Sequence, residues 1–112
     1  MKVSQLATAL NLQLENGGSL DRQVTGAYCS DMLSDVMANG REGQLWITVQ
    51  THQNVAAVAT LMSLCAVIVT GGKRPSKELL AKAEDEAVPV LTTGLTTFEV
   101  AGRIYNLLRQ KE

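Results

Sequence analysis

The sequence GQLWITVQTHQNVAAVATLMSLCAVIVTGG, residues 43–72, decides the fold, and it contains no Lys, Arg, Asp or Glu. Two short apolar runs within it, Leu45–Val49 and Ala66–Val69, predict strands. The residues between them, Val55–Leu64, predict a helix capped by Asn54. A strand, a helix and a second strand in this order predict two parallel strands joined by a right-handed crossover. The near-continuous apolar character of the strands indicates a sheet covered on both faces.

The helix predicted over Val55–Leu64 lacks the charged outer face that a surface helix normally carries. It offers Ala, Thr and Ser instead. We therefore expect it to be covered twice, by the sheet and by a second copy of the chain, so that the protein is a homodimer. The small residues expected to face the partner are Ala56, Ala57, Thr60 and Ser63.

The rest of the chain predicts further strands and helices around this unit. In chain order we expect a helix over Val3–Leu10, a strand over Leu12–Leu14, a turn over Asn16–Ser19, a strand over Val24–Cys29, a helix that Ser30 caps and that ends at Asn39-Gly40, a helix over Lys77–Glu86 behind Ser76, a strand over Val88–Leu91 and a helix from Thr96 or Thr97 to Leu108. These elements predict a single α/β domain over residues 1–112, with three layers, a mostly parallel sheet of about four or five strands and helices on both faces. Residues 110–112 are expected to fray.

Composition limits the functional classes. The 112 residues carry a formal net charge of −1, which argues against a nucleic-acid-binding surface and against electrostatic attachment to a membrane. No apolar run approaches the length of a membrane span. The two cysteines, Cys29 and Cys65, match no zinc-binding spacing and no secreted disulfide framework, and Cys65 is expected to be a buried apolar residue. We expect a cytoplasmic protein without a metal or cofactor.

Uncharged polar residues follow each predicted parallel strand. Since the carboxyl ends of parallel strands meet at one edge of an open sheet, and helix N-termini gather there, this edge is where such sheets bind ligands. The candidate ligand-binding residues are Gln50, Thr51, His52, Thr70, Gly71, Gly72, Thr92 and Thr93. The alternative is that these Thr and Gly residues only cap helices and form turns.

Nothing in the sequence assembles a catalytic site. His52 is the only histidine, and general-base catalysis requires an orienting group, which Asp31 or Asp35 could supply only through the fold. His52 is therefore open to a structural role, a ligand contact or, least of all, catalysis. Lys73-Arg74 could reach an anion at the predicted edge or belong to a solvated loop.

Several segments resemble the DRTGG domain. The most specific is Val69–Ser76, which contains Thr-Gly-Gly-Lys-Arg-Pro-Ser. The other segments are Leu20–Val24, Gly43–Thr48, Glu78–Leu80, Val88–Leu91 and Thr97–Ala101. The resemblance covers nearly the whole chain. It departs from the family at Gln50-Thr51-His52, where many members carry Gly-Asp-Arg.

The resemblance implies a regulatory or accessory domain. DRTGG domains occur within long bacterial phosphate acetyltransferases, and are similar to the N-terminal domains of HPr kinase/phosphorylase and of some Mur ligases. It thus implies a prokaryotic cytoplasmic setting, with no counterpart here to the catalytic domains of those proteins. We expect a non-catalytic regulatory domain that dimerises and senses a small polar or anionic ligand. The alternative is a structural subunit that binds a partner enzyme.

Overall fold

The computed structural model describes residues 1–110. Its five strands form one sheet, and its five helices cover both faces of that sheet. The strands are β1 (Gln13–Leu14), β2 (Gly26–Cys29), β3 (Gln44–Thr48), β4 (Ala66–Val69) and β5 (Val90–Thr92). The helices are α1 (Val3–Leu10), α2 (Leu33–Asn39), α3 (Asn54–Leu61), α4 (Lys77–Asp85) and α5 (Thr97–Arg109). The expectation that residues 111 and 112 fray lies outside the described residues.

The strand order is β1-β5-β4-β3-β2, and every neighbouring pair is parallel except β1 and β5. The predicted three-layer α/β fold with a mostly parallel sheet is therefore confirmed. The antiparallel strand β1 pairs Gln13 with Thr92 and Leu14 with Leu91. This pairing brings an N-terminal segment beside the end of β5, which matters for the site described below.

Alternating side chains of the central strands enter two separate cores. Leu45 and Ile47 of β3 pack with α1 and α5 on one face of the sheet. Trp46 lies on the other face, among side chains of α2, α3 and α4, and it is fully buried. The indole N–H of Trp46 donates to the carbonyl of Ser30 at 2.8 Å, which satisfies the one polar group of this side chain. Because both faces of the sheet are covered, the strands can be apolar without interruption.

Several helix ends differ from the prediction by one to three residues, and two of these differences have clear local reasons. Helix α3 ends at Leu61 rather than Leu64, because Ser63 adopts a φ of 54° and the amide of Leu64 donates back to the carbonyl of Ala59 at 2.9 Å. This left-handed ending matches a Schellman motif, formed by Ser where Gly is usual. Helix α2 has Met32 rather than Ser30 as its N-cap, and the Ser30 hydroxyl instead accepts from the Met32 amide at 3.2 Å.

The turn after β1 is held against the junction between α4 and β5 by one side chain. The Asn16 amide group donates to the carbonyls of Leu80 and Val88 at 3.2 and 3.1 Å. Its oxygen accepts from the amides of Gly18 and Val90 at 3.2 and 3.1 Å. Three of these hydrogen bonds therefore fix the turn to α4, to Val88 and to β5, and the fourth, from Gly18, lies within the turn.

Candidate functional site

The polar groups at the end of β3 are occupied by one another. The Asp31 carboxylate accepts from the Thr48 hydroxyl and from the Val49 amide, each at 2.9 Å. The Gln50 side-chain amide donates to the carbonyl of Asp31 at 2.7 Å. These bonds close the end of β3 and tie it to the loop after β2, so Gln50 has a structural role here.

His52 lies just before helix α3, whose N-cap is Gln53 rather than the predicted Asn54 and has no side-chain capping hydrogen bond. The Nδ1 of His52 accepts from the amide of Asn54 at 3.1 Å. In the described part of the chain the two candidate orienting carboxylates are engaged elsewhere: Asp31 at the end of β3, and Asp35 with the hydroxyl of Tyr28. The geometry therefore gives His52 no partner for general-base catalysis.

Thr70 and the two glycines after β4 are also engaged within the chain. Thr70 is fully buried, and its hydroxyl oxygen lies at hydrogen-bonding distance, 2.6 Å, from the hydroxyl oxygen of Thr97. Gly71 and Gly72 have φ of 71° and 72°, a conformation suited to glycine. Their amides donate to the carbonyls of Leu95 and Thr93 at 2.7 and 3.0 Å. These amides bind the loop after β5, and are therefore not free for a phosphate.

A cleft of about 880 Å³ opens beside these loops, where the end of α1, strand β1, the loops after β4 and β5, and helix α5 meet. The residues that line it are Leu10, Asn11, Gln13, Glu15, Gly72, Lys73, Arg74, Thr92, Thr93, Gly94, Leu95 and Arg103.

The cleft contains only part of the predicted edge. Gly72, Thr92 and Thr93 line it, whereas Gln50, Thr51, His52, Thr70 and Gly71 do not. The eight candidate residues therefore do not line one common cleft. The physical reason is that the hydrogen bonds at the ends of β3 and β4 fill the edge there, while β5 ends beside the short strand β1 and leaves space.

The cleft brings together three cations and one carboxylate. Lys73, Arg74 and Arg103 are exposed, and none of them forms an ion pair within residues 1–110. Glu15 accepts from the Thr92 hydroxyl at 2.6 Å and is half-buried. The net charge of the lining is positive, and an anion is the ligand that such a lining favours.

Arg103 also contributes to lowering the pKa of a carboxyl group on its own helix. The pKa of the Glu99 carboxyl is lowered by the backbone and hydroxyl hydrogen bonds from Thr96, and further by the charge of Arg103. Thr96 and Glu99 form a capping box at the start of α5; of the two predicted starts, Thr96 is the N-cap and Thr97 the first helical residue. This box orients the first turn of α5 and so positions the helix that carries Arg103.

Sequence reasoning did not single out Glu15 or Arg103 as site residues. Glu15 follows a two-residue strand, and its position next to Thr92 depends on the antiparallel pairing of β1 with β5. Arg103 is one of several charged residues on an amphipathic helix. No local pattern marks either residue.

The outer face of α3 differs in two respects from the predicted dimer surface. Ala57, Thr60 and Ser63 are exposed, but Ala56 is only 2% exposed because it lies in the core between α3 and α4. Ala56 therefore offers almost no surface to a partner. Leu61 at the end of the helix is 66% exposed, a large apolar side chain that the prediction did not include.

The cysteines are free, and they form no metal site with acidic or histidine side chains in the described residues. Cys65 is buried as predicted, and burial raises the pKa of its thiol to about 11, while Cys29 is exposed and both are free. Within residues 1–110, no three side chains of the His, Cys, Asp or Glu type lie together as a metal site requires. Nor does this part of the chain contain a helix of the length and apolarity needed to cross a membrane.

Comparison with known proteins identifies the family. The DRTGG domain family matches residues 5–107. The structure is similar to that of the CBS and DRTGG domains of the regulatory region of Clostridium perfringens pyrophosphatase, complexed with the activator diadenosine tetraphosphate, with a TM-score of 0.69 and 21% identity over 91% of this chain and 44% of that chain. This chain thus spans less than half of the length of that solved chain, and the low identity supports a shared fold only. No curated protein shows significant sequence similarity. The chain belongs to the DRTGG domain family.

Proposed function

We propose that this chain is a non-catalytic regulatory domain that binds a small anionic or polar ligand in the cleft beside β1 and β5. The observation that carries the proposal is the set of three cations, Lys73, Arg74 and Arg103, which line a cleft of 880 Å³ and form no ion pair within residues 1–110. A cleft of this size is in the range that holds small-molecule ligands. Unpaired cations around such a cleft attract anions.

The setting of the similar structure supports a regulatory role. That protein region contains CBS domains besides a DRTGG domain and is complexed with an anionic nucleotide activator. The activator belongs to the complex of that region, and it does not identify the ligand of this chain. A regulatory domain in a prokaryotic cytoplasm, acting on an enzyme carried by the same or another chain, fits this setting.

A thermal-shift panel of phosphorylated metabolites and nucleotides tests ligand binding. A ligand at about 100 times its dissociation constant adds about 2.7 kcal/mol to the unfolding free energy. For a domain of this size that raises the melting temperature by about 10 °C or more. The shift should shrink in Arg103→Gln and persist in Arg41→Gln, an exposed arginine that precedes β3 and thus lies at the opposite end of the sheet. A flat response across the panel would contradict the proposal.

Dimerisation through α3 is part of the same proposal. Ala57, Thr60, Ser63 and the 66% exposed Leu61 form an uncharged surface that a second copy could cover. Thr60→Lys should split the dimer, because an unpaired charge buried at an interface costs several kcal/mol. Sedimentation at micromolar concentration measures this, with Thr8→Lys on the exposed face of α1 as the matched control. A wild-type protein that sediments as a 12.0 kDa monomer would rule out the dimer.

The second candidate function is a structural subunit that binds a partner enzyme. It is favoured by a different observation: Phe98, in the first turn of α5, is 88% exposed. Exposed aromatic side chains are enriched at protein interfaces. A flat thermal-shift panel combined with Phe98-dependent capture of an enzyme by the intact chain would favour this function over ligand sensing.

A further inference from the structure

We infer that the ligand of the cleft is a phosphorylated polyol, such as a sugar phosphate, whose phosphate meets the three cations and whose hydroxyl groups donate to Glu15. This inference rests on the proposed function and extends it by assigning a role to the carboxylate. A cleft that bound only a simple anion would gain nothing from a negative charge in its lining, since like charges repel. The presence of Glu15 therefore points to a ligand with a second, hydrogen-donating part.

Glu15 is held in place and has capacity for a ligand. Its own amide donates to the carbonyl of Val90 at 2.9 Å, and the following residue, Asn16, anchors the turn with four hydrogen bonds. The Thr92 hydroxyl donates to Oε2 at 2.6 Å, which orients the carboxylate. An ionised carboxylate accepts several hydrogen bonds, so Oε1 and the remaining lone pair of Oε2 can accept from hydroxyl groups.

The charges are kept separate within the cleft. Within residues 1–110, the ion pair that forms joins Lys2 to Asp21. No side-chain nitrogen of Lys73, Arg74 or Arg103 therefore lies within ion-pair distance of the Glu15 carboxylate. The cations come from the loop after β4 and from α5, whereas the carboxylate comes from the segment after β1. Guanidinium groups bind phosphate oxygens through paired N–H donors. A ligand can therefore place its phosphate and its hydroxyl groups on different parts of the lining.

The lining also argues against recognition of a nucleobase. Its apolar members are Leu10 and Leu95, and the described residues around the cleft include no aromatic ring on which a base could stack. With no base to supply donors, we assign the hydroxyl groups of a polyol as the donors to Glu15. Ribose 5-phosphate contains the required phosphate and hydroxyl groups without a base, and it serves as the probe.

Calorimetric titration of the full chain with ribose 5-phosphate, inorganic phosphate and ribose tests the inference. We expect ribose 5-phosphate to bind at least about tenfold more tightly than inorganic phosphate, since hydrogen bonds to a charged acceptor are strong. Glu15→Gln keeps the size of the side chain and an acceptor for Thr92, and it should reduce this ratio to below about threefold without weakening phosphate binding. Thr92→Val, which removes the orienting hydroxyl, should reduce the ratio in the same direction.

The outcomes separate this inference from the proposed function. Equal affinity for phosphate and ribose 5-phosphate in the wild type, with both lost in Arg103→Gln, would overturn the polyol assignment while leaving anion binding in the cleft intact. A ratio that survives both Glu15→Gln and Thr92→Val would also overturn it. If none of the three probes binds, the polyol assignment is refuted as well. A flat thermal-shift panel would separately contradict ligand sensing. Melting curves of both variants establish that they are folded.

Discussion

The Asn16 side chain offers the sharpest test of how the first turn is attached to the sheet. Asn16→Ala removes four hydrogen bonds and leaves two carbonyls and two amides without these partners. A typical hydrogen bond contributes about 1 kcal/mol net, and a polar group left buried without a partner costs about 1–3 kcal/mol. Because Asn16 is half-buried, water can replace some of these bonds. We therefore expect a loss of about 2–4 kcal/mol from a total that is typically about 5–15 kcal/mol.

Asn16→Asp isolates the donor half of the interaction. It keeps the size of the side chain and the acceptor oxygen, but it replaces the amide group with a second oxygen that faces the carbonyls of Leu80 and Val88. Repulsion between these oxygen atoms should make Asn16→Asp at least as destabilising as Asn16→Ala at pH 7.

Urea unfolding followed by circular dichroism measures both variants, and Asn106→Ala is the matched control. Asn106 is exposed on α5, and alanine favours a helix more than asparagine does, so this variant should be unchanged or slightly stabilised. A loss of less than about 0.5 kcal/mol in Asn16→Ala, with an unchanged dependence on urea concentration, would contradict this role of Asn16.

Further results are expected for two glycines and for the two cysteines. Gly18→Ala should destabilise the fold by about 3 kcal/mol or more in the same urea assay, because a Cβ atom there would lie 2.3 Å from the backbone of Pro89. Gly102→Ala on α5, where a Cβ atom meets nothing within 4 Å, should instead stabilise it by about 0.5–1 kcal/mol, and the opposite order would contradict the packing described. At pH 8, a thiol reagent should modify Cys29 but not Cys65 in the folded chain, and both in denaturant. Burial raises the pKa of the Cys65 thiol from 9.0 to about 11, so its contribution to stability is complete below about pH 9 and is lost as the pH rises through about 11. Equal reactivity of the two thiols in the folded chain would count against the burial of Cys65.

The sequence predicts the fold best where apolar strands and a helix follow one another without charged residues. The uncharged stretch of residues 43–72 predicts β3, α3 and β4, because apolar strands and a helix of this length have few other arrangements. The exact helix ends were less accessible. The left-handed conformation of Ser63 ends α3 early. This conformation is uncommon in residues other than glycine, so a serine at this position does not predict it.

The cleft lining was predicted only in part, because Glu15 and Arg103 reach the cleft through tertiary contacts. The rule that ligands bind at the carboxyl ends of parallel strands selects Gly72, Thr92 and Thr93, and these three residues line the cleft. It does not reveal that the equivalent groups after β3 bond to one another. Nor does it reveal that the antiparallel strand β1 delivers Glu15, or that α5 delivers Arg103. Such contacts join residues far apart in the chain, and no local spacing encodes them.

The most direct test of ligand binding in the cleft is a nuclear magnetic resonance titration of the ¹⁵N-labelled chain with inorganic pyrophosphate. An anion bound by the three cations should shift the amide resonances of Lys73, Arg74, Thr93, Gly94 and Arg103 most, in a saturable manner. The same titration of Arg103→Gln should need at least about tenfold more pyrophosphate to reach half-saturation, since a charge-assisted hydrogen bond is lost. Saturable shifts centred on Thr51 and His52 instead, or no saturable shifts at all, would contradict the assignment of the cleft as the ligand site.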